Sequence, residues 1–195
     1  MNLIIIAALS ENRVIGRNGT VPWNIPEDMQ RFKRLTLGHT VLMGRGTYET
    51  LSEPLTNRRN VVLTSRPLPG VETYGSIGDA IRGLKNNEEV YLIGGGQVFA
   101  ELLTSASRLM LTIVHQYIEG DTYFPPYEHL IGPLFKLTSA EHHDGFSFMD
   151  YARVEQVDGQ FVPLGHRCWA THAPSWHWPP LMQKDPFPHG ALLLA

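Results

Sequence analysis

Leu3-Ile4-Ile5-Ile6-Ala7-Ala8-Leu9 is an unbroken apolar run rich in β-branched side chains. That pattern predicts a strand buried on both faces and central in a sheet. Residues 10–25 lose it: Gly16, Gly19 and Pro22 fall among mixed polar positions, so a long loop is expected, of the length found in lids and binding loops. Pro26 suits the first position of a helix, and Glu27 and Asp28 suit its positive end; the helix is expected to run to Leu37 and stop at Gly38. Apolar runs then alternate with turns and helical stretches. Residues 40–43, 60–64, 90–93 and 108–114 read as strands, and helices are expected from Thr47, over 76–84 and over 97–103. Ser76 and Asp79 form a start resembling a capping box. Residues 135–141 and 146–154, joined by His142-His143-Asp144-Gly145, read as an antiparallel hairpin. The alternation predicts a single-domain α/β fold: a mainly parallel central sheet flanked by helices on both faces, closed by a C-terminal antiparallel hairpin.

Composition narrows the function classes. With 195 residues, 43% of them hydrophobic, the chain is long enough for one well-buried core. The net charge of −3 offers no basic field, so no nucleic-acid partner is expected. Cys168 is the single cysteine, which rules out an internal disulfide and a thiolate metal site. The run 3–9 falls far short of the ~20 residues that span a bilayer. It also lacks a preceding basic segment and a cleavage site, so a cytoplasmic protein with no membrane partner is expected. Beyond Val154 the periodicity stops, and Trp169, Trp176 and Trp178 fall among prolines and four irregularly spaced histidines. We divide the chain into a folded domain, 1–156, and a Pro/Trp/His-rich extension, 157–195, read as disordered or outside the core. No metal is expected, because His166, His172, His177 and His189 lack ligand spacing and His39, His115 and His129 stand alone.

Asp28 is the first residue that points to chemistry. On the expected helix, Asp28, Phe32 and Leu35 share one face, with Met29 and Thr36 flanking it and Arg31, Lys33 and Arg34 mostly elsewhere. Two readings stay open on spacing alone. The acid either points to solvent in the first turn, or lines a cleft and accepts hydrogen bonds from a cationic or amidine-like ligand. Three turns leave the carboxyl ends of strands: Gly44-Arg45-Gly46-Thr47, Thr64-Ser65-Arg66 and Gly94-Gly95-Gly96-Gln97. In an open parallel sheet, ligands bind at that edge. Glycines let the backbone approach phosphate, and Arg45 and Arg66 suit a ligand with several phosphates, NADPH rather than NADH. The triplet is neither a G-x-G-x-x-G fingerprint nor a Walker loop, and tight packing of a helix start explains it equally well. No nucleophile elbow and no H-E-x-x-H motif is present, so a cofactor would carry the reaction.

The segments Arg13-Val14-Ile15-Gly16, Pro22-Trp23-Asn24-Ile25-Pro26-Glu27-Asp28, Met43-Gly44-Arg45, Ile93-Gly94-Gly95-Gly96 and Glu119-Gly120-Asp121-Thr122 closely resemble bacterial dihydrofolate reductases, in order, from about residue 2 to 154. The resemblance implies NADPH-dependent reduction of 7,8-dihydrofolate to tetrahydrofolate, serving one-carbon metabolism, by a monomer that antifolates inhibit. It assigns catalysis to Asp28, Trp23 and Thr112: Asp28 gripping the pteridine, Thr112 supporting it through water, and Trp23 helping to hold a water nearby. Ile6, Met29, Phe32, Leu51, Leu55 and Ile93 would wall the substrate, and Arg58 would pair with its glutamate α-carboxylate. Ala8 and Ile15 would meet the nicotinamide carboxamide, with Val14, Gly16, Asn18, Gly19 and Thr20 also on the cofactor side. Arg45, Gly46 and Thr47, together with Gly94, Gly95, Gly96, Gln97, Val98 and Phe99, would hold the cofactor near its phosphates. Thr64, Ser65 and Arg66 would sit by its 2′-phosphate. Residues 16–25 resemble the mobile lid of the family, with Asp121 in its support loop. Phe99 stands where many relatives have tyrosine, Gly46 and Gln97 replace larger or basic residues, and the hairpin turn is shorter than in enzymes whose lid docks on it. Two other readings are a pteridine or pyrimidine reductase on the same fold, against which Asp28 and Arg58 argue, and a non-catalytic folate- or nucleotide-binding protein.

Overall fold

The computed structural model describes residues 2–84, 88–157 and 160–163. In chain order the elements are β1 (Asn2–Ser10), β2 (Val14–Gly16), α1 (Pro26–Thr36), β3 (Thr40–Gly44), α2 (Arg45–Glu49), β4 (Arg59–Leu63), β5 (Glu72–Tyr74), α3 (Ile77–Gly83), β6 (Glu89–Gly94), α4 (Gly96–Leu102), β7 (Arg108–Val114), β8 (Thr122–Tyr123), β9 (Phe135–His143), β10 (Phe146–Val157) and β11 (Gln160–Pro163). The main sheet runs β11-β10-β7-β1-β6-β3-β4-β5, with β9 also paired to β10. β1 is central, parallel to β6 on one side and to β7 on the other, as its apolar run predicts. β3 pairs in parallel with β4 and β6, and the antiparallel β10 closes the sheet against β7.

Alternation along β1 builds two cores. Leu3, Ile5 and Leu9 enter one with Phe99, Leu102, Leu109 and Leu111; Ile4 and Ile6 enter the other with Val41, Met43, Val62 and Tyr91. Each fully buried isoleucine contributes about 1.5–3 kcal/mol of apolar transfer. Phe32 and Leu35 of α1 pack on the second core, so α1 covers that face. Its start rests on Pro26 and the acidic first turn alone, because the extended N-cap Ile25 makes no side-chain capping bond. Ser76 does cap α3, its Oγ accepting from the Asp79 amide at 3.1 Å.

The boundaries depart from expectation in three places. α2 begins at Arg45, two residues early, with Gly44 as its extended N-cap. β2 and β8 pair with each other inside segments without strand periodicity, and β5 pairs in parallel at the outer edge of β4. Two or three residues are too few to show a period of two. Past the expected domain end at 156, β11 pairs antiparallel with the end of β10, Val154 opposite Pro163. The rest of the 157–195 extension lies outside the described residues. Among the described residues, no helix is long and apolar enough to cross a membrane.

Candidate active site

Ala8, Thr112 and Phe148 are register partners across β1, β7 and β10, so they share one row on the face that α1 covers. The Thr112 hydroxyl is nearly fully buried and donates to Asp28 Oδ1 at 2.5 Å. That bond turns the Asp28 carboxyl toward the sheet. It is also direct, where the resemblance implies a bridging water. Among the described residues no donor reaches Oδ2, which leaves one oxygen for a ligand. Burial pushes the Asp28 pKa above the ordinary carboxylate value, while the Thr112 hydrogen bond and the charge of Arg31 pull it back.

Half-buried Phe32, Leu51, Leu55 and Ile93 pack around Ile6 on this face and form apolar walls. Met29 is 64% exposed, an apolar side chain left in solvent one residue from the carboxylate. Trp23 is half-buried in the segment that enters α1. Arg58 reaches the far end of α1: Nη1 donates to Thr36 Oγ1 at 3.0 Å, Nε to the Thr56 carbonyl at 3.1 Å, and the guanidinium carbon lies 5.8 Å from the Phe32 ring centroid. Burial lowers its pKa, yet among the described residues its partners are neutral oxygens only. A partly dehydrated guanidinium gains most from a carboxylate.

A second cleft of about 450 Å³ opens where β3, β4 and β6 end. Gly44, Arg45, Gly46, Thr47, Thr64, Gly95, Gly96, Gln97 and Val98 line it, as expected, together with Leu63, Gly75, Ser76, Ile77 and Glu101. Gly75, Ser76 and Ile77 escaped the sequence reading because β5, which delivers them, is so short. Ser76 as a helix cap directly after a strand was the available signal. Glycine is required in the turn that ends β6, where Gly96 lines the cleft and the buried Gly94 does not. Gly94 has φ +145, and a Cβ there would meet Thr47 Oγ1 at 2.7 Å; a Cβ at Gly96 would meet the Tyr123 carbonyl at 2.6 Å. Neither α2 nor α4 has a side-chain cap, so first-turn amides stay available at the cleft. Backbone donors, glycine walls and Arg45 (Nε 2.6 Å from Glu49) at its lip form a donor set that fits a phosphorylated nucleotide. Ser65 and Arg66 are exposed beside Thr64 and do not line the cleft.

Two residues expected on the cofactor side turn their side chains inward. Phe99 is 2% exposed with its ring 5.0 Å from that of Phe124, and Val14 is fully buried. Both side chains serve the core, because α4 and β2 must turn an apolar face inward to stay attached. The segment 16–25 starts docked on the loop before β8: Asn18 N–H donates to Asp121 Oδ2 at 2.6 Å, and Asp121 N–H donates to the Gly16 carbonyl at 3.1 Å. Asn12, just before β2, ties the same junction, its side chain bonding both the amide and the carbonyl of Ile118. Ile15, Gly19 and Thr20 lie in this docked segment, the last two exposed.

A parallel-sheet edge with a phosphate-suited cleft, together with a half-buried acid among apolar side chains on the face that α1 covers, fits an open α/β oxidoreductase whose chemistry is carried by a nucleotide cofactor. A profile for dihydrofolate reductase matches residues 2–153. The chain is 40% identical over 168 residues to dihydrofolate reductase HdrB of Haloferax volcanii, covering 80% of this chain and 85% of that one. It is 45% identical over 130 residues to dihydrofolate reductase type 3 of Salmonella typhimurium, covering 65% and 80%. Among solved structures, a dihydrofolate reductase from Enterococcus faecalis complexed with NADP(H) and RAB-propyl superposes with a TM-score of 0.69 at 32% identity, covering 78% of this chain and 96% of that one. The chain belongs to the dihydrofolate reductase family.

Proposed function

We propose that this chain reduces 7,8-dihydrofolate to 5,6,7,8-tetrahydrofolate with NADPH, and that Asp28 is the carboxylate that grips the pteridine through its 2-amino group and nitrogen 3. The observation that carries this is the half-buried Asp28 carboxyl, held at Oδ1 by Thr112 with Oδ2 left open among apolar side chains. NADPH, when bound in the glycine-lined cleft, supplies the hydride. The chain's own part is alignment, exclusion of water and control of one proton. Phe32, Leu51, Leu55 and Ile93 confine a flat ring system, which turns a bimolecular encounter into a fixed geometry. Arg58, anchored on Thr36, takes the substrate's glutamate α-carboxylate. Nitrogen 5 of the pteridine must gain a proton, and burial raises the pKa of Asp28, which makes the acid close to the ring easier to protonate than an ordinary carboxylate. Trp23 helps to hold a water there, and the lid docked on Asp121 shuts bulk solvent out.

An antifolate bearing an amidine-like edge would compete for Asp28, and a cytoplasmic monomer is the setting we infer. Absorbance at 340 nm with NADPH and dihydrofolate tests the reading directly. Steady decay that depends on both ligands is the expected result. Binding of dihydrofolate without decay, or decay only with a ribosylated pyrimidine or other pteridine, overturns it.

A further inference from the structure

Arg31 does not lie where helical spacing puts it. Its side chain is 8% exposed, and Nη2 donates to Asp150 Oδ1 on β10. The guanidinium carbon also stands 4.6 Å above the Phe148 ring centroid. A cation buried this far survives only where a carboxylate and a ring face replace its water. Sheet register explains the placement. Thr112 and Phe148 occupy one row on the α1 face, and Met110 and Asp150 occupy the next row on that face. Thr112 therefore holds Asp28 while Asp150, two residues along β10 from Phe148, holds Arg31. The pairing of β9 with β10 shifts register between Asp150 and Tyr151, a local irregularity of the kind that re-aims a side chain. Asp28 and Arg31 are three residues apart on α1, a spacing at which acid and base ordinarily pair with each other.

We propose that Asp150 holds the Arg31 guanidinium back from Asp28, so that Arg31 lends its charge to the Asp28 carboxylate without covering the oxygen that the pteridine needs. Arg31 and Asp150 are then positioning residues for the reaction, an inference that rests on the assignment of Asp28 above. The groups facing Asp28 are few. α1 presents Arg31, β7 the Thr112 hydroxyl, β1 the uncharged Ile6 and Ala8, and β10 Phe148 and, through Arg31, Asp150. Burial works against the charged carboxylate and Arg31 works for it, in a site dry enough for a single charge to matter. With Asp150 gone, the freed guanidinium can turn to Asp28, three residues back on α1, and the substrate must then displace it.

Three variants test this: Asp150→Asn, Arg31→Met and the double variant, each assayed for turnover across pH and for melting temperature. Asp150→Asn is expected to raise KM for dihydrofolate about tenfold, KM for NADPH staying within about twofold, and to move the apparent pKa of turnover down. Arg31→Met is expected to move that pKa up by about half a unit to one unit. The double variant should recover most of the KM lost in Asp150→Asn. A purely structural staple predicts otherwise: a double variant no better than Asp150→Asn and a pH profile that does not move. That outcome overturns the proposal. If Asp150→Asn fails to fold, the Arg31→Met profile decides alone, and no upward shift rejects the proposal. Wild-type turnover and the Asp28→Asn variant, run in the same assay, show separately whether the assignment of Asp28 holds.

Discussion

Asp28 carries opposing demands. Burial favours its neutral form, while the Thr112 hydroxyl and the Arg31 charge favour the carboxylate; the balance leaves its pKa raised. Replacing it with asparagine keeps an acceptor for Thr112 but removes the titrating group. Turnover at neutral pH should then fall by about 10²–10⁴-fold with NADPH affinity nearly unchanged, read by steady-state kinetics and cofactor titration. An equal loss of both would make Asp28 structural. The same group also costs stability. Its folded pKa lies above the unfolded value, so the native state holds the proton more tightly, and stability falls as pH rises from the unfolded pKa to the folded one. Asp28→Asn is therefore expected to melt higher than wild type at pH 7, with the gap narrowing as pH falls towards 4; calorimetry at both pH values checks this. The inward face of Asp28 was readable from its spacing with Phe32 and Leu35, although spacing left a solvent-facing alternative. The burial of Arg31 was not readable, because its partner Asp150 lies 119 residues away on a strand whose neighbour the local pattern does not name.

At the scale of elements, the glycine turns do two jobs. They shape a cleft for a phosphorylated ligand, and they let α4 start against β8. A methyl group at Gly96 would press on the Tyr123 carbonyl, which belongs to the strand that pairs with β2 at the base of the lid. Gly96→Ala should thus weaken NADPH binding and destabilise the fold together, by about 1–3 kcal/mol for the latter, measured by cofactor titration and thermal melting. Unchanged values for both would show that the wall yields. Long apolar runs and capped helices were legible, as β1 and Ser76 at the head of α3 demonstrate. β2, β5 and β8 were not: each is held by a neighbouring strand, and none is long enough to carry a pattern of its own.

For the whole molecule, the catalytic and binding side chains proposed above all come from residues before 151, within one sheet and its flanking helices. A chain ending at Pro163 is expected to keep its turnover. A chain ending at Val154 should also turn over but melt a few degrees lower, since it loses the β10–β11 pairing at the sheet edge. Lost turnover in the first would mean that later residues contribute to the site. By itself the amino-acid order determined the parallel α/β frame, the central place of β1, the glycine turns at the strand ends and, through its motifs, the family. These follow from local periodicity and backbone freedom, which neighbouring residues set among themselves. Only the tertiary structure decided that Thr112 touches Asp28 directly, that Arg31 turns in to Asp150, and that Phe99 and Val14 fill the core instead of the cleft. Those outcomes depend on which strands lie side by side, and burial against a distant partner is a free energy that no local pattern contains.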